Sequence, residues 1–197
     1  MGLYKDSFSS KDEIRPTYDI DVVVHADSLM DYYELEKRVK NLGFENCTDE
    51  DAPICRYQFE DLRLDLMPDD KSILGFSNPW YSSDLNNTQK VTLPSGTEIQ
   101  ILTLPYYLAT KIEAFISRGK EDLVMSHDLE DIFLLLKGLN NYEKILNGPE
   151  YVISYLKEFF RKRITSEIFV DHVYGEFSGE KSEQERANEL LQFFRRI

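Results

Sequence analysis

Apart from one early helix, the hydrophobic period of this chain shifts from strand-like to helix-like near Pro105, and that shift restricts it to folds in which a sheet is followed by helices. Up to about residue 104, short apolar runs alternate with polar residues between turn signals, as in half-buried strands. From Pro105 onward apolar residues recur three and four positions apart, as in amphipathic helices. The implied class is α/β (α+β): a mixed β-sheet with flanking helices over residues 1–104, then a C-terminal helical bundle over 105–197 that contributes to the site.

The first strand is expected over 18–24, in "RPTYDIDVVV". Ser28 is placed to cap a helix that runs to about Leu42 and stops at Gly43. "ICRYQF" (54–59) and "LRLDLM" (62–67) read as strands joined by the tight Glu60-Asp61 connection. A second hairpin, 90–93 with 97–102, turns at Pro94-Ser95-Gly96, and "SNPWYSSDL" before it accommodates a short helix. Helices are expected at 105–118, 127–137, 142–147, 149–162, 165–177 and 183–195, with glycines at most of the breaks.

The formal net charge of −13 argues against nonspecific nucleic-acid binding as the main role, because phosphate backbones are repelled at long range. An anionic ligand would need a cation to reverse the local sign. The two cysteines, Cys47 and Cys55, lack zinc-ligand spacing and read as reduced thiols. With no signal-peptide pattern and no apolar run near the roughly 18 residues of a membrane span, the expected location is cytoplasmic, away from membranes.

In "RPTYDIDVVV" side-chain alternation puts Asp19, Asp21 and Val23 on one face of a strand and Ile20, Val22 and Val24 on the other. Two neighbouring carboxylates repel unless they are solvated, protonated or neutralised by a cation. A bare Asp-x-Asp is weak on its own, since many solvated strand edges carry one. In "LRLDLMP", Arg63, Asp65 and Met67 likewise face away from Leu62, Leu64 and Leu66. Three aspartates on strands that can neighbour each other make an oxygen-rich site suited to Mg2+ or Mn2+. Such ions suit phosphoryl or nucleotidyl transfer.

The second dense stretch is "LATKIEAFISRGKEDLVMSHDLEDIFLLL" (108–136). Lys111 borders the apolar stripe of the first helix, with Arg118 two turns on; either a phosphate contact or a snorkelling stem fits Lys111. Asp128 and Asp131 flank the stripe of the next helix and could orient Lys111 or Arg118, serve in the site, or favour the helix dipole. His127 fits a helix-start or packing role better than catalysis. "FFRKR" and the terminal "FFRRI" set basic residues beside aromatics, as an RNA contact or simply a solvated helix face.

With "RPTYDIDVVV", "LRLDLMP" and "YYLATKIEAFISRGKEDLVMSHDLEDIFLLL" in this order over about residues 15–137, the chain resembles the AbiEii toxin group of nucleotidyltransferases. That group is the toxin component of type IV toxin-antitoxin systems, within the polymerase-beta-like nucleotidyltransferase superfamily. The resemblance implies a nucleotidyltransferase-type sheet and a helical domain, with an NTP and Mg2+ (or Mn2+) as ligands. It implies that Asp19, Asp21 and Asp65 bind the metal and that Lys111 joins them in catalysis. Arg15, Thr17, Lys111, Arg118, Asp128 and Asp131 would then serve nucleotide binding. It further implies an RNA, protein or small-molecule hydroxyl as acceptor and an antitoxin protein as partner.

One departure stands out. The superfamily carries a Gly-Gly or Gly-Ser phosphate motif shortly before the Asp-x-Asp strand, and here only Gly2 precedes it. Either the chain begins inside a longer reading frame or the phosphate cradle is lost. Three readings follow: a Mg2+-dependent nucleotidyltransferase, a catalytically inactive binding or regulatory protein of the same fold, and a metal-dependent phosphohydrolase. The last ranks lowest, since no His-rich cluster accompanies the aspartates.

Overall fold

Alternation along three strands builds the sheet that carries the carboxylates. The computed structural model describes residues 18–118, 122–123, 126–179 and 181–197, without the side chains of residues 83 and 84. Arg15, Thr17 and Gly2 therefore lie outside the described residues. Strand β1 (Asp19–Val24) leads into helix α1 (Leu29–Asn41), followed by β2 (Glu45–Asn46), β3 (Arg56–Phe59) and β4 (Leu62–Pro68). The strand order is β1-β4-β3-β2, with β1 parallel to β4 and the other pairs antiparallel.

Ile20, Val22 and Val24 fall on the same side as Leu64, Leu66 and Tyr57, and that side makes the core. Leu64, Leu66, Tyr57, Ala26, Tyr32 and Ile73 form the buried cluster, with Val22, Val24, Leu35, Val39, Phe44 and Leu74 against it. The buried Tyr32 hydroxyl donates to Leu66 O at 2.9 Å, so α1 is pinned to β4 by a polar contact as well as apolar packing. Burial pushes the Tyr32 phenol up to about 12, keeping it a donor.

Ser28 caps α1 as the sequence implies, its hydroxyl accepting from Asp31 N at 3.2 Å. Gly43 follows with φ +97, in the region where an L side chain is strained. Two short elements were not anticipated, β2 and α2 (Lys71–Leu74), because a two-residue strand and a single helical turn are too brief for either periodicity to register. Helix α3 (Tyr81–Asp84) falls within "SNPWYSSDL", and β5 (Thr88–Thr92) pairs with β6 (Glu98–Leu102) in a separate two-stranded sheet. Gly96 in their turn has φ +86.

The remaining helices are α4 (Leu104–Ser117), α5 (His127–Gly138), a 3-10 turn (Tyr142–Leu146), α6 (Glu150–Arg163), α7 (Glu167–Glu176) and α8 (Lys181–Arg196). The chain is thus α+β, a small mixed sheet and a strand pair followed by helices. Its described residues divide into two compact units, 18–101 and 102–197. In the second, α4 packs against α5, α6 and the 3-10 turn, and Leu108, Ile112 and Phe115 are fully buried.

Phe159, Phe160, Phe193 and Phe194, the aromatics of "FFRKR" and "FFRRI", belong to this core, with Phe160 stacked on Phe194 at 3.9 Å between centroids. Arg163 lies over Phe115 and Phe159, Arg196 lies over Phe193 and pairs with Glu143, and Arg161 donates to Ile197 O. These rings are spent on packing, so base stacking on them is not available. Among the described residues no helix is long and apolar enough to cross a membrane.

Candidate functional site

The outward face of the four-stranded sheet carries a row of polar groups fixed by register. Asp21 on β1 stands directly opposite Asp65 on β4, and Asp19 opposite Arg63. Across the other edge of β4, Asp65 faces Arg56 of β3. The three aspartates named by the sequence therefore share one face on adjacent strands. Asp19 and Asp21 are exposed, and Asp65 is largely buried, its side chain retaining 13% of its accessible surface.

The sheet also supplies a cation the motif reading omitted. Arg56 grips Asp65 through both carboxylate oxygens, Nε to Oδ1 and Nη2 to Oδ2, each at 2.7 Å. Those hydrogen bonds, with the charges of Asp65 and Asp19, outweigh the cost of burial and push the Arg56 guanidinium further up. A signal for this partner exists in the sequence. With only Glu60 and Asp61 between β3 and β4, Phe59 must pair with Leu62, and counting back places Arg56 on Asp65.

A second pair closes the far end of the same two strands. His25 follows β1 and Asp69 follows β4, and His25 Nδ1 lies 2.8 Å from Asp69 Oδ2. Asp69 is buried and also accepts from Ala26 N, while His25 Nε2 lies 3.3 Å from the exposed Asp27. The hydrogen bond to Asp69, then the charges of Asp69 and Asp27, raise the His25 pKa above its ordinary value. Neither residue stood out in the sequence, since their meeting depends on the parallel register of β1 and β4.

In the helical unit, the structure gathers Lys111, Arg118, Asp128 and Asp131 into one network. Lys111 Nζ lies 2.6 Å from Asp131 Oδ2 and 3.7 Å from Asp128 Oδ1. Arg118 binds Asp128 bidentately, at 2.8 and 2.7 Å. Burial favours neutral forms, yet Tyr107, Asp131 and Asp128 hold the Lys111 pKa above the usual lysine value. Likewise burial acts to raise Asp128, and Arg118 followed by Lys111 outweighs it, so this carboxyl sits below its ordinary range. Two cations and two acids cancel locally. His127 opens α5 and pairs with Glu130 at 3.0 Å, which suits its helix-start reading.

No family model, curated protein or solved structure matches this chain. Three carboxylates on adjacent strands offer oxygen donors of the kind hard divalent cations take. Among the described residues, however, no group of three or more His, Cys, Asp or Glu side chains is gathered as a ready metal site. The donors fit in type and share one face of the sheet, but they are not gathered at ion-binding distance, and both oxygens of Asp65 are committed to Arg56. Arg56 thus neutralises Asp65 from within the sheet.

Proposed function

We propose that this protein is a Mg2+-dependent nucleotidyltransferase of the AbiEii kind, moving NMP from an NTP to a hydroxyl on RNA, protein or a small molecule. On this reading it acts in the cytoplasm as a toxin held by an antitoxin protein. The observation that carries the proposal is the pairing of Asp21 with Asp65 across β1 and β4, with Asp19 on the same face. Like charges side by side in a sheet repel; Arg56 offsets part of that repulsion, and a bound cation would offset the rest.

Asp19, Asp21 and Asp65 would hold the ion, which supplies charge neutralisation for the triphosphate and activation of the hydroxyl. Cys55, buried beside this face, is kept protonated by burial, its pKa pushed up to about 11, and offers no competing soft ligand. For Lys111 and Arg118 a phosphate role requires that a phosphate replace Asp131 or Asp128, since each cation is held by an acid.

A second reading, a non-catalytic binding protein of this fold, is favoured by the Arg56 closure of Asp65. Calorimetry with each NTP and Mg2+, beside transfer of labelled NMP to RNA and protein, separates the two. The enzyme reading expects Mg2+-dependent binding that falls about tenfold or more in Asp21→Asn, together with transfer. Equal binding by wild type, Asp21→Asn and Asp65→Asn removes the enzyme reading; binding without transfer to any acceptor supports the second reading, and binding together with transfer removes it.

A further inference from the structure

We infer that His25 and Asp69 form a proton-operated latch: with His25 charged, the turn between β1 and α1 is held on the end of β4, and loss of that proton loosens it. Neither residue belongs to the carboxylate row of the sheet, so the latch stands apart from the enzyme reading.

Asp69 is a junction between segments. Its amide donates to Val24 O at 2.9 Å, and its carbonyl accepts from the hydroxyls of Ser77 and Ser82, each at 3.2 Å. Its carboxylate reaches the other way, to His25 Nδ1 at 2.8 Å and to Ala26 N at 3.4 Å. The chain that enters α1 is thus tied through one residue to the end of β4 and to positions 77 and 82. Ala26 is itself part of the buried core of the sheet.

This tie depends on one positive charge. The Asp69 side chain keeps 9% of its accessible surface, and among the described residues His25 is its one cationic partner. A buried carboxylate that loses its counter-charge is costly, so the charge on the imidazole matters more here than at an exposed pair. No neighbouring group replaces it. Asp27, which faces Nε2 at 3.3 Å, is another acid and is 86% exposed. Asp31 on α1 accepts from the Ser28 hydroxyl, and Asp70 is turned onto Ser72 N, with Lys71 acting on Asp70.

The hydrogen bond and charge of Asp69, then the charge of Asp27, keep the imidazolium charged to higher pH than an ordinary histidine. With the folded pKa above the unfolded one, the latch is complete at mildly acidic pH and fades as pH rises through the folded pKa. The neutral imidazole still donates from Nδ1, but such a bond is about half as strong as its charged counterpart. This end of the sheet therefore opens more often under mildly alkaline conditions, a local change rather than a loss of the whole fold.

Native-state amide exchange, followed by NMR on the full chain between about pH 5.5 and 8.5, tests the latch. Protection factors remove the intrinsic pH dependence of exchange. The protection of Ala26 should fall about threefold or more across the His25 titration, from the weaker neutral bond, while that of Leu66, bonded to Cys55 O on β4, stays level. In His25→Gln, which keeps a neutral donor on an exposed side chain, Ala26 should show the low protection at every pH. Asp27→Asn should keep the step. Unchanged Ala26 protection in wild type, the same step in His25→Gln, its loss in Asp27→Asn, or a parallel fall at Leu66 overturns the latch. The other two histidines, His127 and His172, remain in the glutamine variant, so a step that they cause survives the substitution and is told apart from the latch.

Discussion

Asp128→Asn is the most informative single change in the helical unit, because Asp128 is buried and answers to two cations. Its side chain keeps 9% of its accessible surface, accepts two hydrogen bonds from Arg118 and lies 3.7 Å from Lys111 Nζ. The Arg118 side chain is 72% exposed, so water screens that pair and its contribution is no more than about 1 kcal/mol. Lys111 is 18% exposed, and an effective dielectric near 20 gives a gross attraction of about 4 kcal/mol at this distance, most of it cancelled by desolvation. Lys111 also keeps Asp131 at 2.6 Å. A net loss of about 2–3 kcal/mol results, which for a unit the size of residues 102–197 lowers Tm by about 8–20 °C.

Thermal and urea unfolding followed by circular dichroism measure this loss. Asp131→Asn supplies the comparison: Asp131 is 38% exposed and has one cationic partner, so it should cost about 1 kcal/mol or less. Because the folded pKa of Asp128 lies below its unfolded value, its stabilisation is fully present above the ordinary carboxylate pKa and is lost as pH falls through the folded one. The gap between wild type and Asp128→Asn should hold from about pH 5 to 8 and narrow below about pH 4. An Asp131→Asn variant as unstable as Asp128→Asn, or a gap that persists at low pH, would refute the assignment of Asp128 as the buried hub.

Three further expectations are independent of that network. Phe160→Ala should destabilise the helical unit by about 3–5 kcal/mol, since the ring is fully buried and stacked on Phe194; a loss under about 1 kcal/mol in urea melts would contradict it. Gly43→Ala should cost about 1–2 kcal/mol, because φ is +97 and the new Cβ would meet Phe59 Cε2 at 3.0 Å, and a neutral outcome would mean the turn rearranges. His25 should titrate above its ordinary value by NMR and return toward it in Asp69→Asn. Its pairing favours the folded state below the unfolded pKa and fades as pH rises through the folded one, so stability that grows over that interval would exclude it.

Much of the architecture was legible because periodicity is a local property. The change from alternation to helical spacing near Pro105 located both the strands and the helices, and the Ser28 cap and Gly43 stop bounded α1. Which aspartates share the outward face was also decided locally, since each strand's own alternation fixes it. Even the Arg56–Asp65 pair was within reach, through the two-residue Glu60-Asp61 connection.

Tertiary structure alone decided what is long-range. The pairing of Asp21 with Asp65, and of His25 with Asp69, depends on β1 lying parallel to β4 in one register. That register is set by how α1 packs on the shared core, through groups such as Tyr32 and Leu66, rather than by any turn between the strands. The same distinction holds in the helices. Spacing gave Lys111, Arg118, Asp128 and Asp131 their borders on the apolar stripes, but only the packing of α4 against α5 made Asp128, rather than Asp131, the buried acid that both cations share.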